Sequence, residues 1–148
     1  IRQAVRALEL EWALSKNEIL GLYLTLAPYG GNLEGIRAAS LAYFGKEPRR
    51  LTLGEAALLV APPQSPELRR PDRFPERARL ARDRVLDRIA GHGLFSDAEI
   101  AHAKEEKVPT ARKPMPLTAP HAADQSLMVT PEERVLRLTI DAGLQMTL

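Results

Sequence analysis

Three times the chain sets a hydroxyl residue three positions ahead of a glutamate, at the mouth of an apolar run: S-K-N-E at 15–18, T-L-G-E at 52–55 and S-D-A-E at 96–99. In this box the hydroxyl oxygen accepts a hydrogen bond from the first-turn backbone and the carboxylate reaches back to the cap N–H. Two donors that a helix start leaves orphaned are thereby satisfied. A chain that repeats the signal is committed to short α-helices. Ahead of the first box, Ile1, Ala4, Val5, Leu8 and Trp12 follow the i, i+3, i+4, i+7 spacing of an amphipathic helix over 1–13. Behind it, residues 19–26 are apolar nearly all round. Such a helix belongs in a core or partly in lipid, and core packing is the expected use.

P-Y-G-G-N at 28–32 interrupts the pattern. Gly30-Gly31 opens backbone angles closed to other residues, either for an ordinary tight turn or for close approach of a ligand. A helix follows, with Gly45 as its C-terminal stop. The helix begun at the second box ends at Pro62-Pro63. Pro75 suits a first helical turn and opens a charged helix that turns Ala78, Ala81, Val85, Leu86 and Ile89 inward. The third box starts a last, short helix. The expectation is mainly α: about six helices and no strand through residue 106. Beyond Lys107, prolines at 109, 114, 116, 120 and 131 mark a linker over 107–133. Leu136, Leu138 and Ile140 alternate with Arg137, Thr139 and Asp141 as a half-buried strand, the start of a further region over 134–148.

Composition closes off several functions. Lysines and arginines number 21 against 19 acids, interleaved rather than gathered, which argues against a nucleic-acid partner. The Arg-rich stretch 69–88 reads as a solvated face, because Glu and Asp are mixed into it. No cysteine is present, so neither a disulfide framework nor a thiolate site is available. His92, His102 and His121 are isolated and lack metal-ligand spacing. No run reaches the roughly 18–20 apolar residues of a membrane span. The first residue is Ile1 rather than Met, so the chain reads as a segment of a longer protein. Physical chemistry alone shows no catalytic centre. Glu9 and Glu11 are two apart on a helix and do not share a face. Lys46 is either a cation at a helix C-terminus or a ligand contact. Trp12, Tyr23, Tyr43 and Phe44 suit a core at least as well as a binding platform.

Taken together, A-L-E-L-E-W-A-L-S-K-N-E-I-L-G-L-Y-L-T-L-A-P-Y-G-G (7–31), G-I-R-A-A-S-L-A-Y-F-G-K (35–46) and L-T-L-G-E-A-A-L-L-V-A-P-P-Q-S-P (51–66) resemble, in order and spacing, the later motifs of the peptidoglycan glycosyltransferases, family 51. R-K-P-M-P-L-T-A-P-H-A-A-D and L-T-I-D-A-G-L-Q resemble the passage, in class A penicillin-binding proteins, from that domain to a transpeptidase. The resemblance implies a lysozyme-like helical glycosyltransferase lobe over 1–106, a linker, and a bifunctional parent.

It also implies chemistry. The family polymerises lipid II by an inverting displacement in which a Glu takes the proton of the acceptor hydroxyl and the lipid pyrophosphate leaves. That Glu belongs to a motif, E-D-x-x-F-x-x-H-x-G, which does not occur in these 148 residues, nor does the G-S-T-I-T-Q-Q motif. The chain holds no catalytic residue on this view and is expected to be inactive alone. Arg2 and Gln3 fall at the pyrophosphate side, Lys46 and Gln64 along the cleft, and Tyr43 and Phe44 in its wall. Gln3 stands where the family has a Glu, which leaves an amide where an acid would act. Thr25 replaces a usual Asn, and Glu11 matches a closing Glu read as structural. No metal ligand is implied in this chain, although Mg at the pyrophosphate is expected in the parent. The implied partners are lipid II, the growing glycan strand, the inner-membrane surface and other cell-wall synthesis proteins. The implied location is the periplasmic face of the bacterial inner membrane, with an anchor upstream. The rival reading is a non-catalytic helical scaffold, against which stands the absence of a roughly 34-residue repeat.

Overall fold

A computed structural model describes residues 2–115 and 128–129. Among them are six α-helices: α1 (Arg2–Ala13), α2 (Lys16–Leu26), α3 (Ile36–Phe44), α4 (Leu53–Val60), α5 (Pro75–Ala90) and α6 (Asp97–Glu105). All three boxes form as expected: Ser15, Thr52 and Ser96 each accept from the backbone N–H of the glutamate three residues on, and each glutamate carboxylate accepts from the cap N–H. Gly45 ends α3 at φ 68°, and Pro75 occupies the first turn of α5. The chain divides into two units, Ile1–Pro114 and Met115–Leu148. The expected strand at 136–141 and most of the expected linker lie outside the described residues.

The first unit has two adjoining cores. In one, Tyr29, Leu33, Ala39, Ala42, Tyr43 and Phe44 pack on Leu58 and Leu59 of α4. In the other, Ala57 of α4 meets Leu86 of α5 and Ile100 and Ala103 of α6. Helix α4 therefore runs between them, in keeping with a sequence apolar on nearly every side. Residues 107–114 follow the same unit: Val108 packs against the first core, and the Lys113 N–H donates to Ala42 O at 2.6 Å.

Two expectations fail. Residues 28–34 are not a plain turn between helices but a small antiparallel hairpin, β1 (Pro28–Gly30) and β2 (Leu33–Glu34), with an irregular register between Pro28 and Gly30. Strands of three and two residues are too short to show an alternating pattern. Helix α2, expected in the core, buries none of its residues. It packs chiefly on α1 and α3, and Leu20, Leu22, Tyr23 and Leu26 stay exposed together with Trp12 of α1. Apolar periodicity states what a helix is able to bury. It does not supply the surface to bury against.

Candidate functional site

The hairpin is the point on which distant parts of the chain converge. Tyr29 is buried, and its carbonyl accepts a hydrogen bond from the Tyr43 hydroxyl of α3 at 3.1 Å. The two segments that carry the sequence motifs are thereby tied. Burial raises the Tyr43 pKa, against the opposing pull of Arg112, and pushes Tyr29 up to about 12. Both phenols stay neutral, and Tyr43 remains a donor.

Four charged residues far along the chain clamp the same hairpin. Arg112 donates to Gly30 O at 2.8 Å and to Asn32 Oδ1 at 3.0 Å, and its guanidinium lies 5.7 Å from the Tyr43 ring centroid. Asp72 takes a two-pronged bond from Arg70, at 2.6 Å and 3.2 Å, and faces Arg112 Nε at 3.3 Å. The Arg70 hydrogen bond holds the Asp72 carboxyl below its ordinary range, with Arg112 adding to the effect against the cost of burial. Glu67 accepts from the Gly31 N–H at 2.5 Å, and that bond lowers its pKa. The fork of a guanidinium on a carboxylate fixes orientation as well as distance.

Beside the hairpin lies an open cleft of about 400 Å³ lined by Pro28, Gly30 and Gly31 on one side and by residues 65–68 on the other. Gly30 is required here. Its φ is +101°, and a Cβ would sit 2.5 Å from Arg70 Cγ and 2.7 Å from Pro66 O. Nothing larger than hydrogen fits between hairpin and clamp.

The sequence-derived candidates are distributed unevenly around this centre. Tyr43 and Phe44 are both in the core, so they support the hairpin from behind. Lys46, just past α3, donates to both oxygens of Glu55 at 2.7 Å and 3.0 Å. Glu55 in turn closes the box at the start of α4, so Lys46 locks one helix end onto the next. The Gln64 amide oxygen accepts from Arg69 at 2.9 Å, in the 3-10 turn Pro62–Gln64. Gln3 is exposed on α1. Arg2 begins that helix, and its side chain is outside the description. Lys46, Gln64 and Gln3 make none of the hairpin contacts.

Arg70, Asp72 and Arg112 were not singled out by the sequence. Arg70 and Asp72 showed only as R-R-P-D, a charged turn of ordinary appearance, and Arg112 only as the first residue of the proline-rich R-K-P-M-P tail. Among the described residues no group of three His, Asp or Glu is placed to hold a metal ion. Asp72 and Glu67 are engaged by Arg70, whereas Glu34, on the hairpin itself, is exposed and lies outside these contacts. The clamp offers no nucleophile and no free base. It rigidly presents backbone and cations beside a cleft, as binding or charge stabilisation requires.

The family model described as Transglycosylase matches residues 1–90. Penicillin-binding protein 1C of Escherichia coli K12 is 49% identical over 145 residues, which cover 98% of this chain and 19% of that protein. Penicillin-binding protein 1A of Vibrio cholerae is 40% identical over 108 residues, 73% of this chain and 13% of its own length. The crystal structure of penicillin-binding protein 1A from Haemophilus influenzae superposes with a TM-score of 0.63 at 29% identity, over 80% of this chain and 18% of that one. The chain thus spans about a fifth or less of the proteins it matches.

Proposed function

Because the chain belongs to the transglycosylase family of the penicillin-binding proteins, we propose that it is the later part of a peptidoglycan glycosyltransferase. That enzyme joins lipid II units into glycan strands at the periplasmic face of the inner membrane. The observation that carries the reading is the family match over residues 1–90. The hairpin supports it, since it lies within that stretch and borders an open cleft.

In the proposed reaction the acceptor hydroxyl loses its proton to a glutamate carried by the family's earlier motif. Its oxygen then attacks the donor sugar carbon with inversion, and the bond to the lipid pyrophosphate breaks. This chain would contribute the ground on which substrate lies. Arg2 and Gln3 would face the pyrophosphate, where fixed cations and donors offset the developing negative charge. Lys46 and Gln64 would line the path of the glycan, and Tyr43 and Phe44 would stiffen the wall from within. Without the base the chain alone does not turn over. The divalent cation expected at the pyrophosphate finds no fitting donor set among the described residues, and no step here runs through it. A transpeptidase following the linker would make the whole protein bifunctional, working beside other cell-wall synthesis proteins.

The test is polymerisation of lipid II by a protein carrying this chain together with the base motif, beside its Lys46→Ala variant. Glycan chains from the first and their loss in the second, at unchanged thermal stability, support the reading. Loss of stability with activity retained returns Lys46 to its role as the partner of Glu55. No chains from the folded parent would overturn the reading and make Gln3 the leading suspect.

A further inference from the structure

The Arg-rich stretch that reads as a solvated face in sequence is sorted by α5 into two stripes of opposite sign. Glu76, Asp83 and Asp87 are spaced by seven and four residues, and so are Arg77, Arg84 and Arg88. Each set shares a face, and the sets are displaced by one residue, about 100° around the helix. The acids are already taken: Glu76 by Arg79, Asp83 by Arg79 and Arg82, and Asp87 by Lys104. The basic stripe is left turned away from them. Two adjoining cavities, of about 360 and 260 Å³, run along it and share Arg69, Ala81 and Arg84. Arg88 lines the first cavity and Arg77 the second.

Apolar side chains are interspersed with these cations. Val60, Leu68 and Leu80 line the groove and are exposed. Arg77 lies 5.3 Å from the ring centroid of the exposed Phe74. A soluble anion needs the cations only. Cations set among exposed aliphatic and aromatic groups suit a surface that is anionic outside and apolar beneath. A guanidinium fork also matches phosphate oxygens in pairs.

We propose that this groove between α5 and the segment 60–69 binds the phosphate headgroups of an anionic lipid surface, with Arg84 and Arg88 as its principal contacts. It adjoins the hairpin cleft, sharing Ser65 and Leu68 with it, but its cations on α5 belong to the groove alone. Only the choice of a membrane as the source of phosphate rests on the glycosyltransferase reading. Binding needs no turnover, so failure of polymerisation and failure of this site are separate results.

The experiment is flotation of the 148-residue chain with vesicles of phosphatidylcholine alone, or mixed with phosphatidylglycerol. The Arg84→Gln/Arg88→Gln pair is compared with Arg79→Gln and with Arg84→Lys/Arg88→Lys, each checked by circular dichroism for helix content. A basic residue near an anionic surface contributes about fivefold in affinity, so the double glutamine variant should bind about 25-fold more weakly. Arg79→Gln, already neutralised by its own acids, should bind like the parent, and the lysine pair should keep most of the affinity. A loss in Arg79→Gln as large, per charge removed, as in the Arg84→Gln/Arg88→Gln pair would reduce the effect to net charge and overturn the proposal. Equal binding to neutral vesicles would do so too, as would full competition by millimolar inorganic phosphate, which would make free phosphate the ligand.

Discussion

Arg82 is 1% exposed, an uncommon fate for a guanidinium. It donates to the carbonyls of Lys104 and Glu106 at 2.5 and 2.6 Å, and its third partner is Asp83 at 2.9 Å. Those carbonyls close the C-terminal end of α6, where a helix leaves acceptors unpaired and carries partial negative charge. One side chain of α5 thus caps its neighbour from inside the protein. Arg82→Met should destabilise the fold by about 3–5 kcal/mol, because it strands two carbonyls and takes from Asp83 one of its two arginine partners. Arg82→Lys should recover only part, since an ammonium lacks the fork. Denaturant unfolding measures both, and a Met variant within 1 kcal/mol of the parent would refute the cap. Asp72 makes a prediction about pH. Its folded pKa lies below the ordinary 3.8, chiefly through the Arg70 hydrogen bond. A depressed carboxyl pKa stabilises the fold fully above the unfolded value and loses that contribution as pH falls through the folded one. The stability gap between the parent and Asp72→Asn should therefore be constant from pH 7 down to about 5, then narrow below pH 4. Urea midpoints that stay parallel to pH 2 would remove Asp72 from the clamp.

Between elements, α4 approaches α6 closely. A Cβ on Gly54 would lie 2.6 Å from Ala103 O and 2.7 Å from Glu106 Cδ. The first of these is backbone and cannot swing aside. Alanine favours a helix over glycine by about 1 kcal/mol, yet Gly54→Ala should destabilise by about 1–3 kcal/mol because α6 must move off. Thermal unfolding decides between the two signs. That contact is invisible in T-L-G-E, which gives away only the helix start. Local signals were legible throughout: the boxes at Ser15, Thr52 and Ser96, the stop at Gly45 and the first turn at Pro75 each act within four residues. What the sequence hid is long-range. Arg112 reaches Gly30 across 82 positions and Glu106 reaches Thr52 across 54, and no periodicity encodes such pairs. The candidate site divides along the same line. Tyr43 and Gly30 stood out as a motif and a special turn. The Arg70–Asp72–Arg112 clamp that joins them looked like ordinary surface charge.

Across the helical unit, burial is lopsided. The segment from Ala27 to Ala103 contains both cores, whereas α1 and α2 present Leu8, Trp12, Leu20 and Leu22 to solvent at 61, 94, 54 and 46% exposure. Scattered apolar residues on a surface need no explanation, but this many large ones on two joined helices make association through them the expected outcome. Core packing of α2, the use its sequence suggested, is therefore absent where the structure describes it. The stability of the rest does not depend on these side chains, since they touch little. The expected behaviour of the chain in solution is concentration-dependent self-association through α1 and α2, seen by light scattering as a mass that rises above 16.4 kDa. Replacing Trp12 and Leu20 by Ser should return it to the monomer mass while shifting unfolding by only about 0.5 kcal/mol for each surface change. Serine variants that unfold outright would show that α1 and α2 pack more deeply than described. An unaltered chain that stays monomeric at every concentration would show that the exposed apolar area is too dispersed to hold a second copy. That face would then be open to lipid or to another segment of a longer protein, whose binding the same two serines should weaken.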